Sequence, residues 1–202
     1  MNTLFIVRHG ETDENRRQVL LGDHDPPINS RGEQEARLTA DWLRKFGAAP
    51  MKVVSSPKLR ALQTAQIIAE RLGTTVNSDS RLRERNLGPF DNLTRQRLAA
   101  LRAEGGHEFV DITQDWERVS GVEQDRVVAE RALRCADLRP SLDHCTVLVT
   151  HAGVAKSIFH NLFSISPDRQ AVLKIRNGGA IALTFRDDCV AFEGLFNPRV
   201  QA

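Results

Sequence analysis

Three short runs in this chain are almost wholly apolar and stop abruptly at polar side chains. Thr3-Leu4-Phe5-Ile6-Val7 precedes Arg8-His9-Gly10, Met51 to Ser55 precedes Ser56-Pro57, and Thr146 to Thr150 precedes His151-Ala152-Gly153. A continuous apolar run of this length reads as a strand covered on both faces, the kind that parallel sheets contain. Helical patterns separate the runs. Ser30-Arg31-Gly32-Glu33 reads as a capping box with Ser30 as N-cap. It opens a helix that puts Ala36, Thr39, Trp42, Leu43 and Phe46 in the core and closes at Gly47. Leu59, Leu62, Ala65, Ile68, Ala69 and Leu72 share one face of a second helix over 58–72. Further helices are expected over 93–103, 123–138 and 152–163, with a short strand over 74–79 and late strands over 179–185 and 190–196 as an edge pair. Residues 11–29 and 81–92 read as loops, and 104–121 as irregular. Strands alternating with helices predict an α/β fold: three layers, a mostly parallel sheet with helices on both faces. The expectation is a single domain over 1–202, with 104–121 as a small cap over the C-terminal strand ends.

Composition narrows the function classes. At 202 residues, 41% hydrophobic and 27% charged, the chain can bury roughly 70% of the surface its unfolded form exposes. A net charge of +2 gives no basic face for nucleic acid. No apolar run approaches the roughly 20 residues of a membrane helix. Leu4 to Val7 is too short for a secretion signal and runs into Arg8. Cys135, Cys145 and Cys189 are odd in number and widely spaced, without ligand or redox spacing. They read as reduced thiols, mostly in the core, and point to the cytoplasm.

In open α/β sheets, ligands bind beyond the carboxyl ends of the strands. Two strands here end in His9 and His151, and a third ends in Ser55-Ser56-Pro57 with Arg60 one turn later. Arg8, Arg60 and two histidines converging on one point make a pocket for a dianion, because guanidinium groups match phosphate oxygens two at a time.

Four blocks, in order, carry a resemblance. Arg8-His9-Gly10-Glu11-Thr12 with Asn15, then Ser55 to Ala65, then Leu82 to Gly88, then Val149 to Gly153 resemble the histidine phosphatase superfamily, in its phosphoglycerate-mutase-like branch. Gly121-Val122-Glu123 with Arg131, and Asn177-Gly178-Gly179, are weaker echoes. The resemblance implies that His9 is the nucleophile and forms a phosphohistidine. Arg8, Arg60 and His151 then balance charge on the phosphoryl oxygens, and Asn15 adds a neutral donor. Glu84 protonates the leaving oxygen and afterwards takes a proton from water. Leu21 and Gly22 match a place where the family's backbone touches substrate. The same resemblance implies no metal and no cofactor, and a small phosphorylated metabolite as the partner. The oligomeric state is left open.

The blocks serve hydrolases and mutases alike. Mutases of the family resemble one another in a longer insertion between the acid and the second histidine. Here Glu104, Glu108, Asp111, Asp115 and Glu117 face only Arg118 in the expected cap. An acidic cap predicts a phosphatase for a single phosphate on a neutral or cationic body, rather than phosphoglycerate mutase-type transfer. Loss of His9 or Glu84 would mark a non-catalytic phospho-ligand-binding module, and both are present. A metal hydrolase using His9 and His151 predicts loss of activity on chelation. After the third block the chain has Phe90-Asp91-Asn92 where many relatives have an aromatic, a Glu and a Gly. Asn tolerates the left-handed backbone that such a Gly occupies.

Overall fold

The apolar runs do form neighbouring strands. The computed structural model describes residues 2–46, 51–103, 119–136, 145–165, 173–187 and 189–200. Among them, β1 (Asn2–Arg8), β2 (Met51–Ser55), β3 (Val76–Ser78), β4 (Cys145–Thr150), β5 (Ala180–Phe185) and β6 (Val190–Phe196) build one sheet in the order β3-β2-β4-β1-β5-β6. The pairs β3·β2, β2·β4 and β4·β1 are parallel. β5 runs antiparallel to β1, and β6 antiparallel to β5. The pattern predicts the two late strands as an edge pair. β6 is the edge, whereas β5 is interior and fully buried, because it bonds to β1 along its length.

Both faces of the central strands are covered, by alternation along β1. Leu4 and Ile6 pack with α5 (Asp125–Leu133) and α6 (Ala152–Leu162) through Val128, Ala132, Val154 and Ile158. Phe5 and Val7 pack with α2 (Ser30–Leu43) and α3 (Leu59–Leu72) through Ala40, Leu43, Ala61, Ala65 and Ile68. Each such large apolar side chain removed from water contributes about 1.5–3 kcal/mol. The three-layer α/β arrangement with a mostly parallel sheet is therefore what the alternating pattern predicts.

The N-cap of α2 is Asn29, whose side chain accepts from the Gly32 N–H at 2.9 Å, and Ser30 is the first helical residue. Glu33 is not part of a capping box there; it pairs with Arg37 at 3.0 Å. Phe46 sits in a 3-10 turn, 43% exposed, although its ring meets Phe5 and Trp42 edge-on. Within the expected 11–29 loop lies α1 (Asp13–Arg16), which Thr12 and Asn15 cap reciprocally. The helix over 93–103 is α4 (Arg95–Ala103). Gly47, and residues 104–118 of the expected cap, lie outside the described residues. No helix among the described residues is long and apolar enough to cross a membrane.

Candidate active site

Strand register brings the two histidines together. Arg8 of β1 lies opposite Thr150 of β4, so the residues that follow each strand, His9 and His151, are adjacent. Their ring centroids are 5.3 Å apart. The backbone continues the ladder for one more step: the His9 N–H donates to the Thr150 carbonyl at 2.9 Å. On the far side of β4, the Ser56 N–H donates to the Val149 carbonyl at 2.9 Å, and the chain turns there into α3, which carries Arg60.

His9 is 3% exposed, and its Nδ1 lies 2.8 Å from the Gly10 carbonyl oxygen. A carbonyl only accepts, so Nδ1 carries the proton and Nε2 keeps the lone pair. Gly10 has no room for a Cβ, because Gly32 backbone fills that space. The Gly10 N–H is fixed on Thr64 Oγ1 at 3.0 Å. His151 is fully buried, with Nε2 2.9 Å from Ser56 Oγ and Nδ1 without a partner.

Among the described residues, Arg60 heads the fully buried side chains by volume. Its Nη1 donates to the His24 carbonyl at 2.7 Å and lies 3.6 Å from Asp25, while Nε and Nη2 have no partner. Arg8 donates Nη1 to the Ile175 carbonyl at 3.2 Å, and its buried Nε is unpartnered. A buried donor left unmade costs about 1–3 kcal/mol. These orphan donors, contributed by three residues that interact electrostatically with His9 or with one another, form a cradle for oxygen acceptors.

Asn15 completes the rim. Its Oδ1 accepts from Asn177 Nδ2 at 2.8 Å and from the Thr12 N–H at 3.3 Å, so the amide Nδ2 is left as a donor. Glu84 is held by backbone: Oε1 accepts from the Arg85 N–H at 2.9 Å and Oε2 from the Gly153 N–H, in the first turn of α6, at 3.4 Å. A Cβ at Gly153 would collide with that carboxylate. The loop behind Glu84 is stitched by Arg131, which donates to the carbonyls of Arg81, Arg83 and Glu84 and grips the Glu123 carboxylate at 2.7 and 2.8 Å. Burial would raise the Glu123 carboxyl, but the hydrogen bonds and charge of Arg131 prevail and hold it below its usual range.

Beside Glu84 opens a cavity of about 370 Å³, lined by Gly22, Asp23, Lys58, Arg83, Asn86 and Arg131 among others. Leu21 is buried, and the Gly22 N–H is already engaged, donating to Asp91 Oδ1 at 2.6 Å. Thus Arg8, His9, Arg60, Glu84 and His151 share one electrostatic neighbourhood, with Asn15 tied to the backbone of His9 through Asn177. Gly22 lines the adjoining cavity, and Leu21 does not.

A model of the histidine phosphatase superfamily, branch 1, matches residues 4–198. The chain belongs to that family. It is 29% identical over 185 residues to the "Probable phosphoglycerate mutase GpmB" of Yersinia enterocolitica, covering 88% of this chain and 82% of the relative. Among solved structures it resembles a mycobacterial glucosyl-3-phosphoglycerate phosphatase complexed with VO3, at 27% identity and a TM-score of 0.79, covering 96% and 98% of the two chains. It also shares the fold of a phosphoserine phosphatase from Entamoeba histolytica, solved with 3-phosphoglyceric acid, at 21% identity and a TM-score of 0.77, covering 98% of both chains.

In this histidine phosphatase several site-building residues lie in stretches singled out in the sequence, but none of them stood out as a site residue. Ser56 orients His151, Thr64 fixes the Gly10 N–H, and Asp91 holds the 22–23 backbone. A serine, a threonine and an aspartate in loops or on a helix are common, and only the tertiary contact separates them from others. Arg131 and Asn177 were visible as weak echoes, and the hydrogen bonds above give each a place.

Electrostatics keep both histidines neutral. Burial, then the charges of Arg60 and its neighbours, pull His9 and His151 well below the ordinary histidine value. Burial likewise pushes Arg8 down to about 10, which leaves it charged at neutral pH. The histidines couple stability to pH. Below about pH 6.5 the unfolded chain binds protons that the folded chain cannot, so stability falls as pH falls. The thermal midpoint is expected to drop between pH 7.5 and pH 5.5. A His9→Asn, His151→Asn double variant should show a flatter dependence; an unchanged slope would contradict this.

Proposed function

We propose that this histidine phosphatase is a phosphomonoesterase for small phosphorylated metabolites, working through a phosphohistidine on His9. The observation that carries this reading is the His9 Nε2 lone pair set among buried, unpartnered donors of Arg8, Arg60 and His151. Nε2 attacks phosphorus as the bond to the leaving oxygen breaks. The protonated Glu84 carboxyl gives its proton to that oxygen. Arg8, Arg60 and His151, with Asn15, hold the equatorial oxygens through the transfer, where charge is greatest. Water then attacks phosphorus, Glu84 takes its proton, the P–N bond breaks and inorganic phosphate leaves. No step is routed through a metal ion, because the guanidinium groups supply the positive charge.

Residues 1–202 form one catalytic domain in the cytoplasm in this proposal, in keeping with cysteines that form no disulfide among the described residues. The names of the curated relatives favour a second reading, mutase-type transfer between 2- and 3-phosphoglycerate. A metabolite panel assayed with and without EDTA separates the possibilities. Phosphate release that resists EDTA is expected. Interconversion of phosphoglycerates faster than hydrolysis of any monoester would establish the mutase, and loss of activity on chelation would establish a metal hydrolase.

A further inference from the structure

Glu84 sits in a stretch, 83–86, that is neither helix nor strand, so no regular ladder fixes where the acid stands. The ends of the stretch are anchored. Thr150 Oγ1 donates to the Leu82 carbonyl at 2.7 Å, and Leu87 forms an antiparallel bridge with Val122. Between those anchors, the holds on the carboxylate do little to place it. The Arg85 N–H belongs to the next residue and travels with the loop, and the Gly153 N–H lies 3.4 Å away.

Arg131, on α5, supplies what the backbone lacks. Its Nη1 donates to the carbonyls of Arg81 and Arg83, the latter at 2.9 Å, and Nη2 donates to the carbonyl of Glu84 itself at 3.4 Å. Nε and Nη2 also grip the two oxygens of Glu123 at 2.7 and 2.8 Å. Glu123 in turn holds the far side of the acid. Its N–H donates to the Asn86 carbonyl at 3.0 Å, and its Oε2 accepts from the Asn86 N–H at 3.3 Å. Every nitrogen of the Arg131 guanidinium is thus committed to the chain, although Arg131 and Glu123 both border the cavity. Arg85 adds an anchor at its own position, donating to Ser157 at 2.8 Å and pairing with Asp125. A planar fork suits the place of Arg131 because it serves a carboxylate and a row of carbonyls at once. Without it, water can satisfy those carbonyls, so the fold survives while the acid loses its fixed place.

We infer that Arg131 is a positioning residue for the proton transfer: with Glu123 it keeps the Glu84 carboxyl in reach of the leaving oxygen, without touching the reacting atoms. This rests on the phosphatase reading above, in which Glu84 is the acid. A misplacement of about 1 Å costs on the order of 10²-fold when geometry carries the step.

Phenyl phosphate and 4-nitrophenyl phosphate are alike in shape and in phosphate charge. They differ in how much the leaving oxygen needs a proton: 4-nitrophenolate departs readily as the anion, and phenolate does not. Their kcat/KM values cover the steps up to that departure, which separates the acid from the later attack of water. Arg131→Met is expected to lower kcat/KM about 10- to 100-fold for phenyl phosphate and less than about threefold for 4-nitrophenyl phosphate. Glu84→Gln should show the same preference, and adding Arg131→Met to it should change the ratio of the two esters no further. An equal loss on both esters in folded Arg131→Met overturns the inference, as does a raised KM for both with the ratio unchanged, the mark of a substrate contact. If Arg131→Met does not fold, Glu123→Gln, which leaves the fork a neutral acceptor, decides by the same ratio. A Glu84→Gln variant without preference between the esters would remove Glu84 as the acid, and the inference with it. A selective Glu84→Gln beside an unselective Arg131→Met overturns the inference alone.

Discussion

A His9→Ala variant should lose on the order of 10⁴- to 10⁶-fold in kcat while keeping its fold, the loss seen when an acting nucleophile is removed. The size follows from the geometry. Nδ1 is committed to the Gly10 carbonyl, so Nε2 carries the attacking lone pair, and the low basicity imposed by burial and by Arg60 keeps it unprotonated. No second side chain stands ready to replace it. His151 has its Nε2 on Ser56 and Nδ1 toward donor duty, and its pKa is depressed for the same reasons. The variant's thermal midpoint should fall modestly, because the buried ring and its hydrogen bond to the Gly10 carbonyl are lost. A variant that retains more than about one hundredth of wild-type kcat would contradict a covalent role.

Arg60→Leu is expected to separate activity from stability. Arg60 is 0% exposed, and two of its nitrogens have no partner. Burial lowers its pKa, while Glu84, Asp25, Asp91 and Asp23 act to hold the charge. A guanidinium in this state is poorly compensated in the free protein and well compensated only when oxyanions arrive. Removing one such donor costs about 10²- to 10³-fold in kcat, as for an oxyanion-hole group. Replacing a partly compensated buried cation with an apolar side chain of similar volume is often neutral or stabilising. The expected result is therefore a large fall in kcat with an unchanged or raised thermal midpoint in the absence of phosphate, and a smaller stabilisation by added phosphate. Calorimetry with and without phosphate checks both halves. A variant that melts much earlier would mean that Arg60 is chiefly a structural residue of the α3 start.

Much of this was legible because strand ends and family motifs coincide. The runs at Leu4–Val7 and Val147–Val149 read as strands buried on both faces and ending in histidines, and the parallel register of β1 with β4, which only the structure gives, sets His9 beside His151. What stayed hidden depends on contacts between segments distant in sequence. Asn29 outcompeted Ser30 as the cap of α2 because Asn29 Oδ1 reaches the Gly32 N–H, a choice between two good capping residues that local pattern does not rank. β5 turned out to be interior since it pairs with β1, and a strand's place in the sheet is not written in its own residues. Glu84, flanked by Arg83 and Arg85, looked from the sequence as much like a surface ion pair as an acid. Its two backbone donors, at Arg85 and Gly153, hold it beside the donor cradle. Asp91 was invisible as the anchor of the 22–23 backbone, because its place lies in the two N–H groups that it holds.

The most direct measurement is rapid quenching of the wild type with labelled monoester, followed by peptide mapping under alkaline conditions that preserve phosphohistidine. One phosphoryl group, acid-labile and alkali-stable, should appear on the peptide containing His9 and decay as phosphate is released. Label on another residue, or turnover with no covalent phosphoryl group at any quench time, would contradict the account.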